Sequence, residues 1–97
     1  KSKDVAWFGI AIILNKNFIK LKNNIIIKLN KSGIETRPII SGNFANQPAI
    51  KLYNIFPGKL INADKIEKSG FFLGLHNTIL KKKELKKFEK IFFDAFI

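Results

Sequence analysis

The segment from Gly33 to Pro48 constrains the fold more than any other: Gly-Ile-Glu-Thr-Arg-Pro-Ile-Ile-Ser-Gly-Asn-Phe-Ala-Asn-Gln-Pro. Gly33 can take the φ > 0 conformation that ends a helix. Ile34 to Ile40 reads as a short strand. Pro38 holds Arg37 in the extended region, and having no N–H to give a ladder it marks the strand as an edge. Ser41-Gly42-Asn43 is turn chemistry. Pro48 suits a first helical position, with Asn46 or Gln47 as its cap. A strand therefore delivers one arginine, a tight turn follows, and a helix starts at once. Strand ends and the turns after them are where binding groups tend to be mounted.

The flanking stretches supply the other elements. Val5 to Leu14 is a continuous apolar run whose β-branched and aromatic content predicts a buried strand. Its length falls short of the roughly 20 residues that span a bilayer. Lys1 and Lys3 could open a signal peptide, but Asp4 intrudes and Asn15-Lys16-Asn17 is no small-residue cleavage site. Phe18, Leu21, Ile25 and Leu29 fall at helical spacing, predicting a helix over Asn17 to Lys31, although Ile25-Ile26-Ile27 is also strand-like. Pro57-Gly58 marks a loop. Asn62 is placed to cap a helix over Ala63 to Ser69, with Asp64 in its first turn and Gly70 closing it. Phe71 to Leu75 reads as a third strand, and His76-Asn77-Thr78 leaves it as a loop. Lys82 to Phe96 is the clearest helix, with Leu85, Phe88, Phe92, Ala95 and Phe96 on one face and lysines on the others. The expected architecture is α+β: a small three-stranded, mainly antiparallel sheet with helices packed on one face.

Ninety-seven residues make one domain at most, residues 1–97, and 46% hydrophobic content is enough for one core. The ten Phe are expected to be mostly core. The sequence neither begins with Met nor contains one, which is read here as a piece of a longer chain. Absence of Cys excludes a disulfide framework, a thiolate metal site and a Cys nucleophile. With 18 Lys+Arg against 7 Asp+Glu, the net charge of +11 suits an anionic partner. Only one of the basic residues is Arg, however, and dedicated nucleic-acid surfaces usually lean on Arg. Abundant Lys, Asn, Ile and Phe together match an AT-rich genome, with solvated lysine faces.

The chain presents no complete catalytic apparatus. One His and no Cys offer no metal site. The carboxylates form no evident general acid/base pair, and no glycine-rich phosphate loop joins a strand to a helix. Lys68 to Gly74 is similar to the aromatic strand of RNA-recognition domains, which keeps a stand-alone basic RNA-binding module as the rival reading. It lacks the alternating aromatics that would put stacking rings on one face. Arg37 stands apart as the single guanidinium at a strand end. Such a group grips phosphate or carboxylate in bidentate fashion, or else forms a surface pair with Glu35 or Asp64. His76 by itself reads as a half-buried packing residue at a strand end.

Gly33-Ile34-Glu35-Thr36-Arg37-Pro38, Gly42-Asn43, Gln47-Pro48 and Phe71-Phe72-Leu73-Gly74-Leu75-His76-Asn77 together carry a resemblance. In order and spacing they resemble the C-terminal small domain of the DegT/DnrJ/StrS family, pyridoxal-phosphate enzymes that aminate or dehydrate nucleotide-linked keto-sugars. The likeness runs roughly from Trp7 to the last helix. It implies the small C-terminal domain of a fold-type I enzyme of surface-polysaccharide or glycan biosynthesis. That enzyme would be cytoplasmic and usually dimeric, contacting neither membrane nor nucleic acid. Its pyridoxal phosphate is bound mainly by a large domain that this chain lacks, where a lysine, or a histidine in the dehydrating members, stands at the cofactor. The Arg37-Pro38…Gly42-Asn43 wording resembles the dehydrating members more than the ordinary aminotransferases. The resemblance also implies that Arg37, Asn43 and His76 bind substrate in the cleft between the two domains, with no catalytic residue in this one. A Ser or Thr commonly opens the family's last helix; Lys81 stands here instead, so a frayed start is expected.

Overall fold

The computed structural model describes residues 6–55, 57–74 and 80–97. Its sheet has three strands, β1 (Gly9–Ile13), β2 (Thr36–Arg37) and β3 (Gly70–Gly74). The order is β1-β3-β2, and both pairings are antiparallel. The helices are α1 (Lys22–Lys31), α2 (Ala49–Leu52), α3 (Ile61–Ser69) and α4 (Lys82–Asp94), with 3₁₀ turns at Lys16–Leu21 and Phe44–Asn46. The architecture is thus α+β with a small antiparallel sheet, as the sequence predicts.

Alternation along the strands divides the sheet into two faces. Residues opposite each other in the register share a face: Phe71 with Ile12, Leu73 with Ile10 and Thr36, Phe72 with Ala11 and Arg37. On the first face Phe71 and Leu73 join Leu14, Ile25 and Leu29 of α1, and Ala95 in one buried cluster. Phe88 and Phe92 of α4, with Phe96 beyond it, pack around that cluster. On the second face Ala11 is exposed, Ile13 is 43% exposed, and Phe72 is met by Phe8, itself 82% exposed, at 5.7 Å between ring centroids.

Several expectations are corrected. The run Val5 to Leu14 becomes a shorter strand, and it is not buried: only its Ile12 and Leu14 side packs on the core. It is an edge strand, so its outer edge has no strand partner among the described residues. Among the described phenylalanines, Phe71 is fully buried and Phe18, Phe88, Phe92 and Phe96 pack against the core, as expected, whereas Phe8, Phe44 and Phe93 are more than half exposed. The helix predicted over Asn17 to Lys31 splits, because its first turn is 3₁₀ with Phe18 N–H bonding Asn15 O at 2.9 Å. Ile25 and Leu29 are buried by α1 as predicted, but Leu21 is 42% exposed.

Gly33 (φ 88°) ends α1 in the predicted way. Ile34 N–H bonds Leu29 O and Gly33 N–H bonds Asn30 O, the two bonds of a Schellman motif, and Ile34 packs against the same core as Leu29. The strand predicted over Ile34 to Ile40 shrinks to Thr36–Arg37. Its position at the sheet edge agrees with Pro38. Thr36 N–H is taken by the Asn30 side chain at 3.1 Å, tying the strand to α1.

Cap positions also move. Asn43, not Asn46 or Gln47, caps the segment before Pro48, and it caps the 3₁₀ turn Phe44–Asn46. Pro48 itself precedes α2. Helix α3 begins at Ile61, so Asn62 lies inside it. Lys81 is not a fraying point: its backbone N–H donates to Glu84 Oε2 at 2.8 Å, half of a capping box. Helix α3 runs into β3 with no residue between them. Gly70 is required there because an added Cβ would meet Ile66 O at 2.5 Å and Ile39 Cδ1 at 2.7 Å. The radius of gyration is 16.2 Å, against about 12.5 Å for a compact domain of this length.

Candidate functional site

The end of β2 and the turn after it form the most connected polar region among the described residues. Arg37 is held extended opposite Phe72 of the central strand. Its guanidinium donates to Glu35 Oε1 at 2.6 Å, and both side chains are largely exposed, at 65% and 72%. Of the partners open on sequence grounds, Glu35 is therefore the one used. An exposed pair of this kind contributes at most about 1 kcal/mol, so a stronger anionic ligand can displace it.

After Pro38 the chain turns back toward α3. Gly42 N–H bonds Ile39 O at 2.6 Å. Gly42 has φ 62° and lies so close to α3 that an added Cβ would stand 2.7 Å from Glu67 Cβ. Asn43 is 3% exposed. Its Oδ1 accepts from Ala45 N–H at 3.0 Å, and its Nδ2 donates to Asp64 Oδ1 at 2.8 Å. Asn46 Nδ2 donates to the same Asp64 oxygen at 3.1 Å and to Glu67 Oε2 at 2.5 Å. Lys22 Nζ caps the arrangement from α1 by donating to Glu67 O at 3.1 Å.

These bonds have an electrostatic consequence. The Asn43 amide first, then the Asn46 amide, hold the Asp64 carboxyl below the usual carboxylate range; burial opposes them, and Lys68 adds a smaller attraction. Asp64 is thus an ionised acceptor for both amides at neutral pH. Neither Asp64 nor Glu67 was singled out for this part on sequence grounds. The available signal was the three-residue spacing on each side: Asn43 and Asn46 face Asp64 and Glu67, one turn apart on a helix.

Of the three residues expected to bind substrate, Arg37 and Asn43 lie at opposite ends of one short segment and share no hydrogen-bond partner. Arg37 is exposed, whereas Asn43 is buried and both its amide atoms are engaged within the chain. His76 lies outside the described residues.

Two open grooves flank the C-terminal end of α4. One, of about 450 Å³, is lined mainly by Leu21, Ile25, Ile27, Phe96 and Ile97 with Lys28 and Lys31; the other by Lys28, Lys31, Ile91 and Asp94. Lys28 Nζ donates to Ile97 O at 2.7 Å, which ties α1 to the chain beyond α4. Among the described residues no cluster of three His, Cys, Asp or Glu could hold a metal, and no helix is long and apolar enough to cross a membrane. They also form no site for pyridoxal phosphate, since no glycine-rich loop or phosphate-cradling helix start accompanies either groove.

The chain is 36% identical, over 77 residues, to a GDP-4-keto-6-deoxy-D-mannose 3-dehydratase of Yersinia pseudotuberculosis. It is 33% identical over 77 residues to the enzyme of the same name from Escherichia coli O55:H7. Each match takes in 77% of this chain and 20% of the relative, so the chain spans about one fifth of the length of these curated proteins. No protein-family model matches the chain, and no solved structure does.

Proposed function

We propose that this chain is the C-terminal small domain of a pyridoxal-phosphate enzyme of the DegT/DnrJ/StrS kind, one that acts on a nucleotide-linked keto-deoxysugar. The observation that carries the reading is its 36% identity to a GDP-4-keto-6-deoxy-D-mannose 3-dehydratase. The open second face of the sheet supports it. Ala11, Ile13 and Phe8 are exposed there beside the partly covered Phe72, an apolar surface left largely open by the described residues, as expected where a domain meets the rest of its protein. The cofactor belongs to a large domain outside this chain and supplies the electron sink there. This domain binds and orients: Arg37 exchanges Glu35 for an anionic part of the substrate, Asn43 holds the adjoining turn in shape, and His76 is the third residue assigned to substrate binding. The enzyme works as a cytoplasmic dimer.

Removal of the 3-hydroxyl, rather than amination, is the favoured reaction, because both relatives are named for it. The test is to supply the full-length protein with pyridoxal phosphate, GDP-4-keto-6-deoxy-D-mannose and glutamate, whose oxidation to 2-oxoglutarate with release of ammonia provides the two electrons that replacing the 3-hydroxyl by hydrogen needs, and to read the product by mass spectrometry. A product lacking the 3-hydroxyl is expected. A sugar that gains nitrogen from glutamate would move the protein to the aminating members. Selective RNA binding that persists at physiological salt, with no turnover of the sugar, would overturn the enzyme reading.

A further inference from the structure

We infer that Asp64 is a positioning residue of this site: by accepting from Asn43 and Asn46 it fixes the turn after β2, and through that turn the placement of Arg37. The inference rests on the function proposed above.

Arg37 and Asn43 are both anchored to one continuous segment, α3 with β3. Arg37 pairs with Phe72 of β3. Asn43 is bonded to Asp64 of α3. Helix α3 continues into β3 without an intervening residue, so the chain from Arg37 to Asn43 is a loop with both ends fixed to the same body. Between those ends Ile39 reaches over Gly70, its Cδ1 standing 2.7 Å from where a Cβ would be. A single carboxylate oxygen, Asp64 Oδ1, accepts hydrogen bonds from two residues of the turn region, Asn43 before the 3₁₀ turn and Asn46 at its end. That sets the orientation of the turn as well as its distance. Asn46 extends the clamp to Glu67, one helical turn further along. Removing the acceptor at Asp64 leaves the buried Asn43 amide unpaired and releases one end of the loop.

The experiment compares Asp64→Leu, Asp64→Asn and Arg37→Ala in the full-length protein with the GDP-linked keto-sugar of the assay above. Asp64→Leu is expected to raise KM about tenfold, with kcat per folded molecule within about twofold. Asp64→Asn keeps an oxygen acceptor and stays within about threefold of the parent. The double variant Arg37→Ala/Asp64→Leu is expected to be little worse than Arg37→Ala alone, since Asp64 acts through Arg37. Full additivity overturns the inference. Hydrogen exchange gives a second readout independent of turnover. Ala45 N–H, bonded to Asn43 Oδ1, exchanges faster in Asp64→Leu while the β3 amides keep their protection; unchanged Ala45 exchange also overturns it. If Asp64→Leu does not fold, Asn46→Ala removes one of the two donors at an exposed position, and an unchanged KM there counts against the clamp. If Arg37→Ala leaves KM unchanged, the site reading itself is wrong. If Arg37→Ala raises KM and Asp64→Leu does not, only the positioning role falls.

Discussion

Phe71 and Phe72 are neighbours on the central strand, and alternation sends them to opposite faces of the sheet. Phe71 is fully buried among Leu14, Ile25, Leu29 and Leu73. Phe72 has Phe8 tilted over its ring, and Ala11 beside it is exposed. Two faces of the same apolar sheet therefore do different work. The first makes the fold, because α1 and α4 lie on it. The second gives little to the fold and is the surface to which the proposed function assigns the rest of the enzyme. In a strand with a hydrophobic residue at nearly every position, hydrophobicity states a preference for burial. It does not state what does the burying.

The two faces differ most at the two phenylalanines. Phe71→Ala is expected to cost about 3–5 kcal/mol of stability in urea unfolding. Phe72→Ala is expected to cost about 1 kcal/mol or less when the chain is measured by itself. Equal losses would show that the second face is as much core as the first.

The next effect contrasts two glycines with positive φ. Gly42→Ala strains the backbone and drives a Cβ into Glu67, whereas the space around Gly33 is open. Gly42→Ala should lose roughly 2–3 kcal/mol and Gly33→Ala about 1 kcal/mol, measured by thermal unfolding. A reversed order would mean that the turn is not seated on α3.

A smaller effect follows acid. Asp64 has its folded pKa lowered, by the Asn43 amide first. Its contribution is therefore present above the unfolded value of about 3.9. It is lost as pH falls through the lower folded value. Ala45 N–H protection should fade over that range below pH about 4, and Asp64→Asn should remove this part of the pH dependence. Protection that fades instead between pH 6 and 8, in the range of about 6.5 where histidine titrates, would contradict the assignment. The smallest effect is at the exposed pair: Glu35→Gln should change stability by about 0.5 kcal/mol or less.

Local chemistry was legible in the sequence wherever one residue decides the backbone. Gly33 ends α1, Pro38 puts β2 at an edge, and the aromatic run after Gly70 is a strand. What depends on a distant partner was not legible. The apolar run before Asn15 reads as buried because its composition is that of a buried strand, yet only one of its faces found a helix. Glu84 closes α4 from inside the helix, so looking for Ser or Thr at the cap position missed it. Asp64 meets Asn43 across 21 positions of chain, and no local pattern announces such a pairing. Arg37 shows the reverse: its residue type drew attention at once, while its use in the described structure is an exposed pair with Glu35.

The proposed function puts a nucleotide-linked sugar at the end of β2. Its most direct test is kcat/KM of Arg37→Ala in the full-length enzyme, measured per folded molecule. A hydrogen bond to a charged group contributes about 1.5–3 kcal/mol, so a loss of roughly 10- to 150-fold is expected with the unfolding midpoint unchanged. Unchanged kcat/KM, with or without a drop in stability, would show that Arg37 serves only its pair with Glu35 and would contradict the claim.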